Sequence, residues 1–211
     1  MNRTGHALSG AVAGLTVTRC SARLASDLVI EHHYLHRAPP VSAAFALLDG
    51  AVPVGAVTFG TPPSRHLQKS ACPSDPSLVV ELNRLWVADD QPRNTESWFV
   101  ARALAELSPR IVVSYADTAH WHSGYVYRAL NFRYAGWTDM DRKTPRFDYV
   151  AASGGHSRDA FRNGYVEKVR RQPKVRYWTV TGNRTQRRHL AALCAWPVMS
   201  WHETPPTRPA Q

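Results

Sequence analysis

"SLVVELNRLWVADDQPRNTESWFVARALAELSPRIVVSYAD", residues 77–117, decides the fold class. The apolar alternation over 78–87 reads as a strand. Val80, Leu82 and Arg84 fall on one side of it, and Val79, Glu81, Asn83 and Leu85 on the other. "QPRNTES" supplies turn and capping residues, and "WFVARALAEL" (98–107) has helical spacing up to Ser108-Pro109. "RIVVSYAD" (110–117) is the short apolar run of a buried strand. Strand, helix and strand in that order make the centre of an α/β domain.

Working outward, "GLTVTRC" (14–20) alternates as a strand, and Ser21 is placed to cap a helix over 21–36. "VSAAFALLDG" and "AVPVGAVTFG" are strand-like runs meeting at Asp49-Gly50, a strong hairpin signal. Residues 61–76, rich in Pro and Ser, read as a loop. Beyond 117, "SGYVYRALN" reads as a short helix, and "FRYAGWT" and "KVRYWTV" (174–180) as strands. The order predicts one α/β domain over 14–181, a mixed sheet flanked by helices. Residues 1–13 are expected to be a flexible lead-in. Residues 182–202 should form a short basic helical C-terminal segment, and 203–211 a disordered proline-rich tail.

At 211 residues and 44% hydrophobic content, the chain is large enough to bury a core. No apolar run approaches the roughly 20 residues that span a bilayer, so no membrane partner is expected. The first residues lack the apolar core of a secretory signal. Cys20, Cys72 and Cys194 are single and widely spaced, which argues against a disulfide framework or a cysteine zinc site. A reducing cytoplasm is the expected compartment.

The charge is uneven. Net charge is +10, from 26 Lys and Arg against 16 acids. Residues 142–188 hold 13 of those cations and only Asp148, Asp159 and Glu167, while the remainder balances. One stretch thus carries the whole excess, the footprint of a polyanion partner, with a merely solubilising basic face as the alternative. Phe161, Tyr165, Tyr177 and Trp178 are interspersed there and could stack on bases.

Two strand ends are loaded with polar groups. Glu81, Asn83 and Arg84 interrupt an apolar strand, where unpaired charge is costly, so they either bridge or serve a ligand. Ser114, Tyr115 and Asp117 close the other strand, with His120 and His122 just beyond. Asp117 either caps the next turn, orients a histidine, binds a metal or takes a proton. Arg93 and Asn94, with Thr95 and Ser97, precede a helix and could cap it or hold a phosphate. "EHHYLHR" (31–37) sets His32 and His36 one turn apart if the helix continues. No GxSxG, P-loop or Rossmann glycine pattern occurs.

"ELNRLWVADDQPRNTESWFVARAL" and "SYADTAHWHSGYVYRALNFRYAGWT", with "EHHYLHRAPP", resemble the phage Mom family of DNA adenine-modifying proteins, which is GNAT-like. The resemblance covers roughly residues 28–180. It implies an enzyme that converts adenine in duplex DNA to the N6-carbamoylmethyl form and so protects phage DNA from host restriction. Carried over by motif, it implicates His33, Tyr34, Arg84, Ser97 and Asp117 in catalysis, with Tyr125 beside Asp117. His33, Tyr34 and Asp117 would then be N and O ligands for a metal, with iron the candidate. A flipped adenine needs stacking rings and edge contacts, for which Asn83, Tyr115, Trp121, Tyr125 and Tyr127 are the candidates. Its weakly nucleophilic amine needs a proton acceptor, assigned on this reading to Asp117. Arg93 and Asn94 would bind the cofactor. "QPRNTES" holds no glycine, which counts against acetyl-CoA and leaves the two-carbon donor unidentified. Arg162, Lys168, Arg170, Arg171, Lys174 and Arg176 would grip double-stranded DNA. The alternatives are an N-acyltransferase for a small-molecule or protein amine, a non-catalytic DNA-binding protein and a metal-dependent nuclease.

Overall fold

The computed structural model describes residues 12, 14–139, 143–153 and 157–200. Residues 1–11 and 13, and the tail from 201, lie outside them. A seven-stranded mixed sheet is built from β1 (Leu15–Arg19), β2 (Ala43–Asp49), β3 (Val52–Gly60), β4 (Val79–Val87), β5 (Ile111–Asp117), β6 (Arg133–Trp137) and a late strand, β9 (Lys174–Val180). Its order is β1-β2-β3-β4-β5-β9-β6, so the last strand in sequence enters between β5 and β6. Only β4 and β5 run parallel; the other neighbours are antiparallel.

Helices cover both faces. α1 (Ala22–His32) begins at Ser21, whose hydroxyl accepts from Leu24 N–H (3.2 Å), and buries Ala25 and Val29 one turn apart. α3 (Thr95–Ala105) and α4 (Tyr125–Ala129) close the other face, where Phe99, Val100 and Ala103 join Phe45, Leu82, Val112 and Tyr177 in the main core. α6 (Arg184–Leu193) opens with a capping box between Asn183 and Gln186, and its Leu190 packs in a second core with Val113 and Trp178.

Several expectations need correction. The first helix stops at His32, so His32 and His36 are not one turn apart: His36 sits at φ 42, and its ring Nδ1 bonds the Ile30 carbonyl (2.9 Å). Residues 61–76 are not a bare loop. Ser64 caps α2 (Arg65–Ala71), and a 3-10 turn covers Pro76–Leu78. The basic stretch also holds unforeseen structure: a second small sheet of β7 (Phe147–Val150) and β8 (Glu167–Arg170), with α5 (Ser157–Asn163) between them. The predicted stackers Tyr177 and Trp178 are core residues.

The alternation expected of β4 also fails, at one residue. Thr58 pairs with Arg84 but Phe59 pairs with Leu82, so Asn83 is an extra residue, a bulge. Leu82 and Leu85 therefore share the core face, and Arg84 moves to the side of Glu81. The Asn83 amide fastens the bulge: Thr58 donates to its oxygen (2.6 Å), and its nitrogen donates to the Pro40 carbonyl (2.9 Å). Pro40 can come so near because Gly60 lies beneath it; a Cβ there would stand 1.9 Å from the Pro40 oxygen. Gly60→Ala must displace the 33–42 segment, and a loss of about 2 kcal/mol or more is expected in urea unfolding.

Candidate functional site at the splay of the parallel strands

β4 and β5 pair only from Val79 and Ile111 to Glu81 and Val113, and then part. Strand alternation sends Tyr115 and Asp117 to the face that carries Glu81 and Arg84. β9 completes two rows there, since Tyr115 is paired with Arg176 and Asp117 with Lys174. The end of α1 and the turn after β5 roof these rows. Tyr34 lies against His33 (4.2 Å between ring centroids), His120 (4.1 Å) and His122 (5.1 Å), and His32 stacks on Trp86 (4.1 Å).

Within this knot, Glu81 was singled out by its place in an apolar strand but not taken for a site residue. The geometry makes it one. It forms no ion pair with Arg84, so the bridge that its sequence position allowed is absent. One carboxylate oxygen is buried without a hydrogen-bond partner. Burial pushes its carboxyl up to about 7, against the opposing pull of Arg84 and Lys174. Arg84 spends Nη1 on the Asn83 carbonyl (2.5 Å) and keeps a buried, unpartnered Nε. Arg176 likewise buries an unpartnered Nε and lies over Trp196 (5.4 Å). Buried polar atoms without partners are rare in folded proteins, and three fall on this one face of the sheet.

Asp117, by contrast, is engaged. One oxygen meets Lys174 Nζ at 2.6 Å, and the other accepts from Ala119 N–H (3.2 Å), which caps the next turn. Both of its oxygens are thus committed to donors of the protein itself. Asn83 is spent on the bulge, and Tyr127 donates its environment to the core: its hydroxyl meets Ser114 (2.7 Å) and its ring Tyr177 (5.0 Å). Neither faces a ligand. Tyr115 packs near Trp196 (6.3 Å), its phenol pushed well up by burial and by Glu81. Trp121, in the turn after Asp117, is exposed.

The donor atoms at His33, Tyr34 and Asp117 do not suit a metal as they stand. His33 is held neutral, its pKa lowered to about 4 by burial and then by Arg84 and the neighbouring histidines. Its Nδ1 accepts from Leu35 N–H (3.1 Å), so the proton sits on Nε2 and neither nitrogen offers a free lone pair. Burial, with Asp117 near, pushes the Tyr34 phenol further up and keeps it protonated. Asp117 has both oxygens committed. Among the described residues no three His, Cys, Asp or Glu side chains are placed to hold a metal ion.

Arg93, Asn94, Ser97 and Tyr125 fall elsewhere. With Glu96 and Val126 they line a cleft between the start of α3 and α4, on the opposite face of the splay. The expected side-chain capping is missing. Asn94 sits at φ 69 without a cap bond, Thr95 turns to the Pro92 carbonyl (2.6 Å), and Ser97 turns to the Asn94 carbonyl (3.0 Å). The Glu96 carboxyl, raised by burial and by Asp89, adds acid where a polyphosphate would need cations.

Of the six cations assigned to DNA, three are occupied. Lys174 pairs with Asp117, Arg171 with Asp148 (Nε to Oδ2, 3.0 Å), and Arg176 points into the knot. Arg162, Lys168 and Arg170 are exposed on the small sheet and its helix.

Fold and site together define an α/β protein whose parallel strands splay between a polar knot and a helix-end cleft. The chain belongs to the Mom protein family, whose model matches residues 14–191. It is 32% identical over 129 residues to the methylcarbamoylase mom of Escherichia phage Mu, a match covering 58% of this chain and 54% of that protein. The chain thus spans about half the length of that relative. Among solved structures it is similar to an N-acetyltransferase from Staphylococcus aureus Mu50, at 12% identity and a TM-score of 0.46, over 79% of this chain and 98% of that one. A putative acetyltransferase from Salmonella typhimurium gives 9% and 0.47, over 81% and 95%. Among the described residues no helix is long and apolar enough to cross a membrane.

A carboxyl raised from 4.5 to about 7 favours the protonated form on folding. Its contribution to stability is whole below pH 4.5 and is lost as pH climbs through 7. Wild type and Glu81→Gln should therefore unfold alike at about pH 4. By pH 8 the variant should be the more stable, by up to about 3 kcal/mol, in urea melts at each pH.

Proposed function

We propose that this chain is a transferase that places a carbamoylmethyl group on the N6 amine of adenine in duplex DNA, a mark that would shield phage DNA from host restriction. Membership in the Mom family and the relation to the phage Mu methylcarbamoylase support this reading. The observation that carries it is the Glu81 carboxyl, with one oxygen buried and unpartnered, beside the buried, unpartnered Nε of Arg84 at the strand splay. Such a pair suits attack by a weak neutral amine: one group removes a proton, and the other holds a developing or resident negative oxygen.

In this reading N6 forms a bond to the methylene carbon of the donor while the donor's bond to its leaving group breaks. Glu81 takes the proton released from nitrogen. Its carboxyl near 7 is matched to that task, because it is ionised in a useful fraction and still basic. Arg84 binds the donor's carbonyl oxygen through Nε and Nη2. Asp117, held by Lys174 and the Ala119 amide, positions the turn that carries His120 and His122 rather than moving a proton. The exposed Trp121 is the ring that would face an extruded base. The donor enters from the cleft of Arg93, Asn94 and Ser97, whose acid-flanked helix start favours a donor without a polyphosphate.

Nucleosides from plasmid DNA of cells expressing the chain should contain a deoxyadenosine heavier by one carbamoylmethyl unit, by mass spectrometry. Its yield should fall about a hundredfold in Glu81→Gln, within the usual range for a proton acceptor. Asp117→Asn should cost less, and the reverse ranking would return the acceptor role to Asp117. In cell extract the wild-type rate should rise with pH to a plateau above about 7. That limb should vanish in Glu81→Gln, whose surroundings (Arg84, Lys174, Tyr115 and Arg176) are otherwise unchanged.

A further inference from the structure

The excursion of β7, α5 and β8 has no role in the chemistry above. It leaves the main sheet after β6 and returns at β9. Its root is tied beside the site: Thr138 N–H and Lys174 C=O pair (2.8 Å), Lys174 N–H meets the Thr138 hydroxyl (2.8 Å), and Arg171 N–H meets the Arg146 carbonyl (2.9 Å). The Arg171–Asp148 pair stiffens that root, and Lys174 is the residue that holds Asp117. From that root β7 and β8 pair over four residues, from Phe147 and Arg170 to Val150 and Glu167 at the far end.

The far end is unusually apolar for an exposed tip. Tyr149 gathers the rings of Phe161 (4.8 Å) and Tyr165 (4.7 Å), yet Phe161 is 58% exposed and Tyr165 46%. Val166 follows Gly164 at the turn and is 71% exposed. Exposed cations flank this cluster: Arg162 on α5, and Lys168 and Arg170 on β8, with Lys168 over the Phe147 ring (4.2 Å). Cations beside exposed rings match a nucleic acid, which offers phosphates and base faces together, better than they match an acidic protein surface.

We propose that this excursion is a finger that grips duplex DNA, its cations on the phosphates and its apolar tip, led by Val166, entering the stack to fill the space of the extruded adenine. This deepens the adenine-modification reading and rests on it. Extruding a base costs a few kcal/mol of lost stacking, and apolar wedges are a known physical means of offsetting it. The root at Lys174, which pairs with Asp117, joins the finger to the site, so that one docking event would serve both.

The test uses the full chain and a mixed-sequence duplex carrying 2-aminopurine in turn at each adenine position. At saturating protein, wild type should raise the fluorescence of one or more positions severalfold. Val166→Ser should lose at least half of that rise with Kd within about threefold, whereas Val166→Phe should keep it. The triple variant Arg162→Gln, Lys168→Gln, Arg170→Gln should weaken binding at least tenfold and lower the slope of log Kd against log salt by about three. Far-UV circular dichroism and melting confirm folding, and Val166→Ser touches no packed ring. An unchanged fluorescence rise in Val166→Ser removes the wedge, and an unchanged Kd and salt slope in the triple variant removes the grip. The modified nucleoside in plasmid DNA is scored separately. If it is absent while binding still depends on the finger, the adenine reading falls and the DNA interface stands. If it is present while the finger variants bind and flip normally, the finger proposal alone falls.

Discussion

Everything at the site depends on the Asn83 clamp. One extra residue in β4 would be a local defect were its amide not bound on both sides, to Thr58 on β3 and to Pro40 on the segment that follows α1. The clamp does two things at once. It turns Arg84 to the face of Glu81, and it lays residues 33–42 across the sheet so that His33 and Tyr34 roof the same face. Without the bulge, Glu81 and Arg84 would point to opposite sides of the sheet. Without the roof, Glu81 would be wetter and its carboxyl would titrate nearer its ordinary value.

The fold tolerates an unpaired buried acid because the rest of the sheet is well packed. Phe45, Phe59, Phe99, Tyr134 and Trp178 are buried on the two faces, and the strands bearing the site are central rather than at an edge. A group that cannot be ionised cheaply becomes neutral instead, so the energetic strain appears as a raised pKa and not as a missing element. Lys174 illustrates the contrast. It sits two strands away from Glu81 in the same polar array, but its ammonium is bonded to Asp117, so it pulls on Glu81 without pairing with it and burial still dominates. The array is thus asymmetric, with one carboxylate neutralised and one left open, and that asymmetry separates positioning from proton transfer.

The basic run from 142 to 188 shows how one compositional signal can divide into several roles. Its charge excess was plain in the sequence, and it remains the best single indication of a polyanion partner. Yet Lys174 and Arg176 face inward, Arg171 braces a root, and only Arg162, Lys168 and Arg170 of the six named stand in the open. Composition counts charges but does not know which face of a strand they occupy. The aromatic residues divide similarly: Tyr177 and Trp178 are core, whereas Phe161 and Tyr165 are exposed on a module with no periodic signature of its own.

The sequence by itself determined the α/β class, the strand–helix–strand centre at 77–117, the hairpin at Asp49-Gly50, the Ser21 cap and the uneven charge. These are local properties, set by side-chain period, turn chemistry and composition, and they survive any tertiary arrangement. It also singled out Glu81 and Arg84 as polar residues out of place. Only the tertiary structure decided that they share a face, that Asp117 is spent on Lys174, that His33 presents no free lone pair and that the helix start at 95 is uncapped by side chains. The first two depend on partners far along the chain, Thr58 and Pro40 for the bulge and Lys174 for Asp117, whereas the other two turn on hydrogen bonds between near neighbours that composition does not choose between. Strand alternation follows from the sequence alone until a single inserted residue reverses it, and what holds that residue in place lies 25 and 43 positions earlier in the chain.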